Sequence, residues 1–249
     1  MTQLDWASQL VTKAQGFDAA FDVLECGGGD LSRGVAIASR FPSKRVCASD
    51  LKLSNTVICE LDELRLPNLR AESVDVREMP FRDNSFDFVF SVALMEHVAE
   101  LDTCLEEMHR ILRPGGFYYF IQAPFWSCAQ GHHYRHWDDA SFAAIPLFGH
   151  LTHSADEMRI ALEAASPPFP IDDCIDSIYT RRDLSRLSRN QTRALVDDSP
   201  MKVIAWDDYS DRRYDRDAAD AAFPKVRFPI ERSELEIGGA YVTLQKPTS

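Results

Sequence analysis

Phe21-Asp22-Val23-Leu24-Glu25, running into Gly27-Gly28-Gly29, is the stretch that decides the fold. A short apolar run entering a glycine cluster reads as a strand followed by a tight turn. Beyond the glycines, Leu31, Val35, Ile37 and Ala38 recur at roughly helical spacing. Strand, turn and helix in that order open a βαβ unit, whose ligand lies beyond the carboxyl end of the strand.

The alternation continues outward. Arg45-Val46-Cys47-Ala48-Ser49-Asp50 predicts a second strand ending in a carboxylate, Leu51 to Leu66 a helix that Pro67 ends, and Ala71 to Val76 a third strand. Phe86-Asp87-Phe88-Val89-Phe90-Ser91 is nearly continuous in apolar character, as suits a parallel strand buried on both faces. Leu101, Leu105, Met108 and Leu112 mark one helix face, and Arg113-Pro114-Gly115-Gly116 stops that helix. Phe117 to Ile121 reads as a fifth strand, and Met201–Trp206 and Ala240–Gln245 as two more. The expected fold is α/β: a doubly wound, Rossmann-like sheet of five parallel strands plus an antiparallel edge pair, with a substrate cap after the fifth strand.

A chain of 249 residues, 45% hydrophobic, fits one large α/β domain or a domain with an inserted cap. Lys and Arg number 27 against 39 Asp and Glu, a net charge of −12. Such a surface repels phosphate backbones and anionic lipid heads, so a small molecule is the expected partner, with no nucleic acid and no membrane. Six cysteines without a C-x-x-C pair read as reduced, buried thiols. Trp6 to Ala14 reads as a short amphipathic helix, without the basic and apolar regions of a signal peptide. A cytoplasmic location is expected, and homo-oligomerisation stays open. Ser166-Pro167-Pro168-Phe169-Pro170 is a turn or linker. Asp207 to Asp220, dense in Asp and Arg, is most simply a solvated loop or helix face.

Two ligands compete for the glycine turn. A dinucleotide site wants Gly-x-Gly-x-x-Gly with a pyrophosphate on the helix N-terminus; here Gly27 and Gly29 fit, but the last position is Ser32. Glu25 at the strand end would repel a pyrophosphate. S-adenosylmethionine carries no phosphate; its ammonium and sulfonium are cationic and suit that carboxylate. Asp50 can accept from both ribose hydroxyls of either ligand. Asp75 can accept from an adenine amino group, with Val76 packing the ring.

Glu25-x-Gly27-x-Gly29, Asp50, and Asp75-Val76-Arg77-Glu78-Met79-Pro80-Phe81-Arg82-Asp83-Asn84-Ser85-Phe86-Asp87 together resemble the class I methyltransferases of the type 11 group. The resemblance runs on through Glu96-His97-Val98 and Glu107-Met108-His109-Arg110-Ile111-Leu112-Arg113-Pro114-Gly115-Gly116. It spans Phe21 to Ile121, less than half the chain. It implies S-adenosyl-L-methionine as cofactor, held at Glu25, Gly27, Gly29, Asp50, Leu51, Asp75, Val76 and Ser91. Two positions depart from the family: Leu31 replaces the third motif glycine, which would tighten or shift the methionine pocket, and Ala48 replaces the glycine usual in the second strand. A single methyltransferase domain over 1–249 is expected, with a cofactor-binding core at 17–125, a cap at 126–199 and C-terminal strands at 200–249. Asp87 reads as a structural hydrogen-bonding group and His97 as a packing residue.

Gly131-His132-His133-Tyr134-Arg135-His136-Trp137-Asp138-Asp139 follows the fifth strand and should overlie the methyl donor. It loosely resembles a His/Tyr-Arg-aromatic loop of methyltransferases from glycan and sugar-modification clusters, which carry an aromatic and a Thr where this chain has His136-Trp137-Asp138. Three readings stand: histidines that remove a hydroxyl proton, a hydrogen-bonded loop without chemistry, or a metal site from His132, His136 and Asp138 or Asp139. The first is adopted, with no metal. His133 or His136 is the base for O-methylation, and His132, Tyr134, Arg135 and Trp137 shape the acceptor pocket. N- or C-methylation, and a non-catalytic scaffold suggested by Leu31, are the alternatives.

Overall fold

The structure, a computed structural model, describes residues 14–135 and 138–248. The expected helix Trp6–Ala14 lies outside them except for Ala14. Strands β1 (Asp22–Cys26), β2 (Arg45–Asp50), β3 (Leu69–Ser73), β4 (Phe86–Val92), β5 (Leu112–Gln122), β6 (Lys202–Ser210) and β7 (Ile237–Gln245) form one seven-stranded sheet, ordered β3-β2-β1-β4-β5-β7-β6. The first five run parallel, and β7 pairs antiparallel with both β5 and β6. The strand order reverses between β1 and β4, and in such sheets the ligand crevice opens at that switch point.

Helices α1 (Ser32–Arg40), α2 (Asn55–Leu64) and α3 (Leu101–Ile111) connect the parallel strands. One apolar layer joins Phe17, Ile37, Val46, Phe88 and Phe90; the other joins Leu24, Val89, Leu105, Met108 and Tyr118. Alternating residues of β4 therefore enter opposite layers, the period-2 consequence of a strand buried on both faces. Asp87 is structural, as expected. Its Oδ2 accepts from the amides of Phe21 and Asp22 at 2.9 and 2.8 Å, and its Oδ1 pairs with Arg113 at 2.7 Å.

Of the boundaries that differ from the sequence reading, two bear on the site. β3 begins at Leu69, because the amide of Val46 donates to the Asn68 carbonyl and the Asn68 side chain donates to the carbonyls of Ala38 and Lys44. Asp75 and Val76 thus sit past the strand end, in the loop over the sheet. α2 begins at Asn55 because Ser54 caps it, its Oγ accepting from Val57 N at 3.2 Å. That frees Leu51 from the helix and leaves it 57% exposed.

After β5 come α4 (Asp139–Ala144), α5 (Gly149–Thr152), α6 (Ala155–Ala165), α7 (Ile171–Ile175, continued by a π turn to Thr180) and α8 (Arg189–Asp198). A separate cluster that includes Trp126, Phe148, Met158, Leu162, Phe169 and Ile178 forms the core of this region. α9 (Arg216–Ala222) adds Ala219 and Ala222 to that cluster, so part of the Asp/Arg-rich segment is buried and not wholly solvated. The six cysteines are free, with Cys59 exposed and the others buried. Among the described residues, no helix is long and apolar enough to cross a membrane.

Candidate active site

The chain leaves β1 through Gly27 (φ +67°) and Gly29 (φ +60°), backbone conformations in which a side chain is strained. A Cβ on Gly27 would stand 2.7 Å from Leu94, whereas one on Gly29 would meet nothing within 4 Å. Leu31, at the third motif position, itself takes φ +58° and is wholly buried. The backbone path that a glycine would follow is kept, at a cost of about 1–2 kcal/mol in left-handed strain. Leu31 does not line the cleft; its side chain is buried beside Gly28.

Glu25 lies under this loop and not on a cleft wall. It is 1% exposed; its Oε2 accepts from Gly34 N at 2.9 Å, and its Oε1 is buried without a hydrogen-bond partner among the described residues. Burial pushes its carboxyl up to about 7, against the pull of Arg33 and the Gly34 amide.

A cleft of about 720 Å³ opens at the carboxyl ends of the strands. Gly27, Gly29, Asp50, Leu51, Asp75 and Val76 line it, joining most of the residues expected to hold the cofactor. Ser91 does not: it is fully buried, with its hydroxyl 2.8 Å from that of Tyr118. Asp50 is fixed from below, Oδ2 accepting from Gly29 N at 2.9 Å and Oδ1 from Lys52 N at 3.2 Å. A carboxylate offers about four acceptor sites, so capacity remains for hydroxyl donors. Asp75 is held by Arg77 through bonds of 3.0 and 2.7 Å, which keep its carboxyl below the usual range, and Arg77 reaches on to Glu100 at 3.0 Å. Two carboxylates, the apolar side chains of Leu51 and Val76 and an open glycine turn fit a cationic nucleoside.

The far end of the cleft is built by the 3₁₀ turn Met95–His97 after β4. His97 is exposed on the cleft wall. Behind it stands His133, 9% exposed, the two rings edge to face with centroids 5.5 Å apart. Glu96 is 1% exposed, and burial pushes its carboxyl up to about 8. One ligating atom from each of Glu96, His97 and His133 lies within 4.8 Å of the other two. Arg182 and Asp183, following the π turn, also line this end. The amide of Ser185 donates to the Glu96 carbonyl at 2.8 Å and ties their segment to the turn.

The remaining loop residues go elsewhere. His132 stacks on Phe142 and meets His150 within the cap core, its Nδ1 accepting from Tyr134 N at 3.1 Å. Tyr134 packs on Phe169, and the exposed Arg135 lies over the Tyr134 ring. Neither His132 nor Tyr134 nor Arg135 lines the cleft. His136 and Trp137 lie outside the described residues. Among the described residues of the alternative metal set, Asp138 caps α4 by accepting from Ala140 N, and Asp139 pairs with Arg213. His97, read from sequence as a packing residue, lines the cleft, and Asp183 escaped the sequence reading. For His97 the signal was its place just past the β4 strand; Asp183 carries no local signal.

Residues 24–120 match the family described as Methyltransferase domain. The chain is similar to the ubiquinone/menaquinone biosynthesis C-methyltransferase UbiE of Hahella chejuensis, 31% identical over 186 residues and covering 72% of each protein. A probable phthiotriol/phenolphthiotriol dimycocerosates methyltransferase of Mycobacterium ulcerans is 32% identical over 113 residues, 45% of this chain and 42% of that protein. The fold is similar to that of phosphoethanolamine N-methyltransferase 2 of Haemonchus contortus in complex with S-adenosyl-L-methionine, with a TM-score of 0.61 at 14% identity, over 98% of this chain and 52% of that one. With the strand order, a cleft lined by Asp50 and Asp75 at the carboxyl ends of the strands and a relative this similar over most of its length, the chain belongs to the class I S-adenosylmethionine-dependent methyltransferases and is an enzyme of that class.

Proposed function

We propose that this methyltransferase moves the methyl group of S-adenosylmethionine to a hydroxyl oxygen of a small molecule. Core residues 17–125 hold the donor and the cap, 126–199, walls the acceptor. Asp50 accepts from the ribose hydroxyls, Asp75 and Val76 take the adenine, Leu51 covers the nucleoside, and the Gly27–Gly29 turn admits the methionine part. Bound there, the cofactor supplies a sulfonium-activated methyl group, so the protein's task is placement, water exclusion and handling of the acceptor's proton.

The observation that carries the oxygen reading is His97 on the cleft wall, backed by His133 and Glu96. An imidazole can take a hydroxyl proton, and the His133 ring packed edge to face against His97 restrains its orientation. This reading takes His97 as the base in place of the expected His133 or His136, with His133 as its support. The Hahella chejuensis relative favours a second reading, C-methylation, in which the same base ionises a ring hydroxyl and the adjacent carbon receives the methyl.

Incubation with S-adenosylmethionine and matched panels of phenols, sugars, amines and quinols tests both readings, with the product's methyl position assigned by NMR. A methyl ether is expected. A C-methyl product from quinols alone would establish the second reading, and an N-methyl product would contradict both.

A further inference from the structure

We propose that Glu96, His97 and His133 bind a divalent cation of the borderline class, Zn²⁺ or Co²⁺, at the acceptor end of the cleft. The assignment rests on the reading of that end as the acceptor site.

The three residues come from two places in the chain, the turn after β4 and the loop after β5, and converge to within 4.8 Å atom to atom. Ligands on a tetrahedral zinc lie about 3.4 Å apart, given bonds of roughly 2.0–2.1 Å. Small side-chain rotations close the difference. Glu96 supplies an independent sign. Its carboxyl is 1% exposed, and its Oε2 has no hydrogen-bond partner among the described residues. A buried acceptor of that kind is costly unless a cation or donor meets it. Two imidazoles and one carboxylate form the donor set of catalytic zinc sites; Mg²⁺ and Ca²⁺ ask for oxygen ligands throughout.

His97 stands on the cleft wall, so the coordination position left open faces the cleft. An oxygen of the acceptor can fill it, and a cation lowers the pKa of an oxygen it holds. With the cation bound, a ligating His97 nitrogen has no lone pair for the proton, and the cation takes over activation of the hydroxyl.

The test is titration of the full chain, dialysed against chelator, with Co²⁺ and followed by visible ligand-field absorption. Binding of S-adenosylhomocysteine is measured by calorimetry on the same samples. The expected result is a saturable band at one cation per chain. In His97→Ala its apparent affinity should fall at least about tenfold, with S-adenosylhomocysteine binding intact; Glu96→Gln should weaken the cation likewise. No saturable band in the wild type, or one undiminished in His97→Ala, overturns the site. Absence of the band in protein that still forms a methyl ether would overturn the cation and leave the acceptor reading standing.

Discussion

The imidazoles of His97 and His133 meet edge to face with centroids 5.5 Å apart, although one follows β4 and the other follows β5. The pairing places a cleft-facing imidazole against a buried partner. His97→Ala is expected to lower kcat by about 10²-fold or more, the usual worth of a general base, while donor affinity holds. Release of S-adenosylhomocysteine with the acceptor found in the panel measures the first, and calorimetry the second. A loss confined to donor affinity would make His97 a wall residue.

Leu31 holds a left-handed backbone with a wholly buried side chain. Leu31→Gly relieves about 1–2 kcal/mol of strain but leaves a cavity where loss of a leucine costs roughly 2.7–5 kcal/mol. Net destabilisation of about 1–4 kcal/mol is expected by urea unfolding. S-adenosylmethionine affinity should stay nearly constant, because the side chain does not line the cleft. A large gain in affinity would show that Leu31 obstructs the site.

Glu25 is protonated more readily folded than unfolded, its pKa rising from 4.5 to about 7 through burial. Between those values the native state binds the extra proton, so raising the pH through this window removes stability, roughly 3 kcal/mol in all. Glu25→Gln should therefore gain on the wild type as pH rises from 4.5 to 7, read from urea midpoints across that range. Parallel profiles for the two proteins would refute the assignment.

His150 acts with the opposite sign. Burial lowers it from 6.5 to about 4, and its Nε2 donates to the Trp126 carbonyl at 2.8 Å. The unfolded chain takes up the proton first, so stability present above pH 6.5 is lost as pH falls towards 4. NMR titration should find this imidazole neutral at pH 5.5. A midpoint near 6.5 would contradict the burial argument.

The sheet was legible because its signals are local. The apolar run of β4 and the glycine turn after β1 each specify their conformation within a few residues. β3 was displaced by two residues because its start depends on Asn68 bridging three carbonyls, which no periodicity records. Asp50 in the cleft was legible from its strand end, whereas Asp75 and Val76 reach the cleft from the loop beyond β3. Glu25 was placed facing the ligand because sequence gives its position but not that its carboxyl turns under the loop to Gly34. His97 read as packing because its chemistry arises only when β5 delivers His133 beside it. The cap stayed unread for a similar reason: its core draws on residues from Trp126 to Leu235, and such long-range contacts leave no repeating pattern.

The donor cleft is the central claim, and calorimetric titration with S-adenosylmethionine, S-adenosylhomocysteine and NADH, in the wild type and Asp50→Ala, tests it most directly. The account predicts that the first two bind and NADH does not. It also predicts that Asp50→Ala weakens both by roughly 10- to 100-fold, the worth of charge-assisted hydrogen bonds to the ribose. Binding of NADH, or donor binding unchanged in Asp50→Ala, would contradict it.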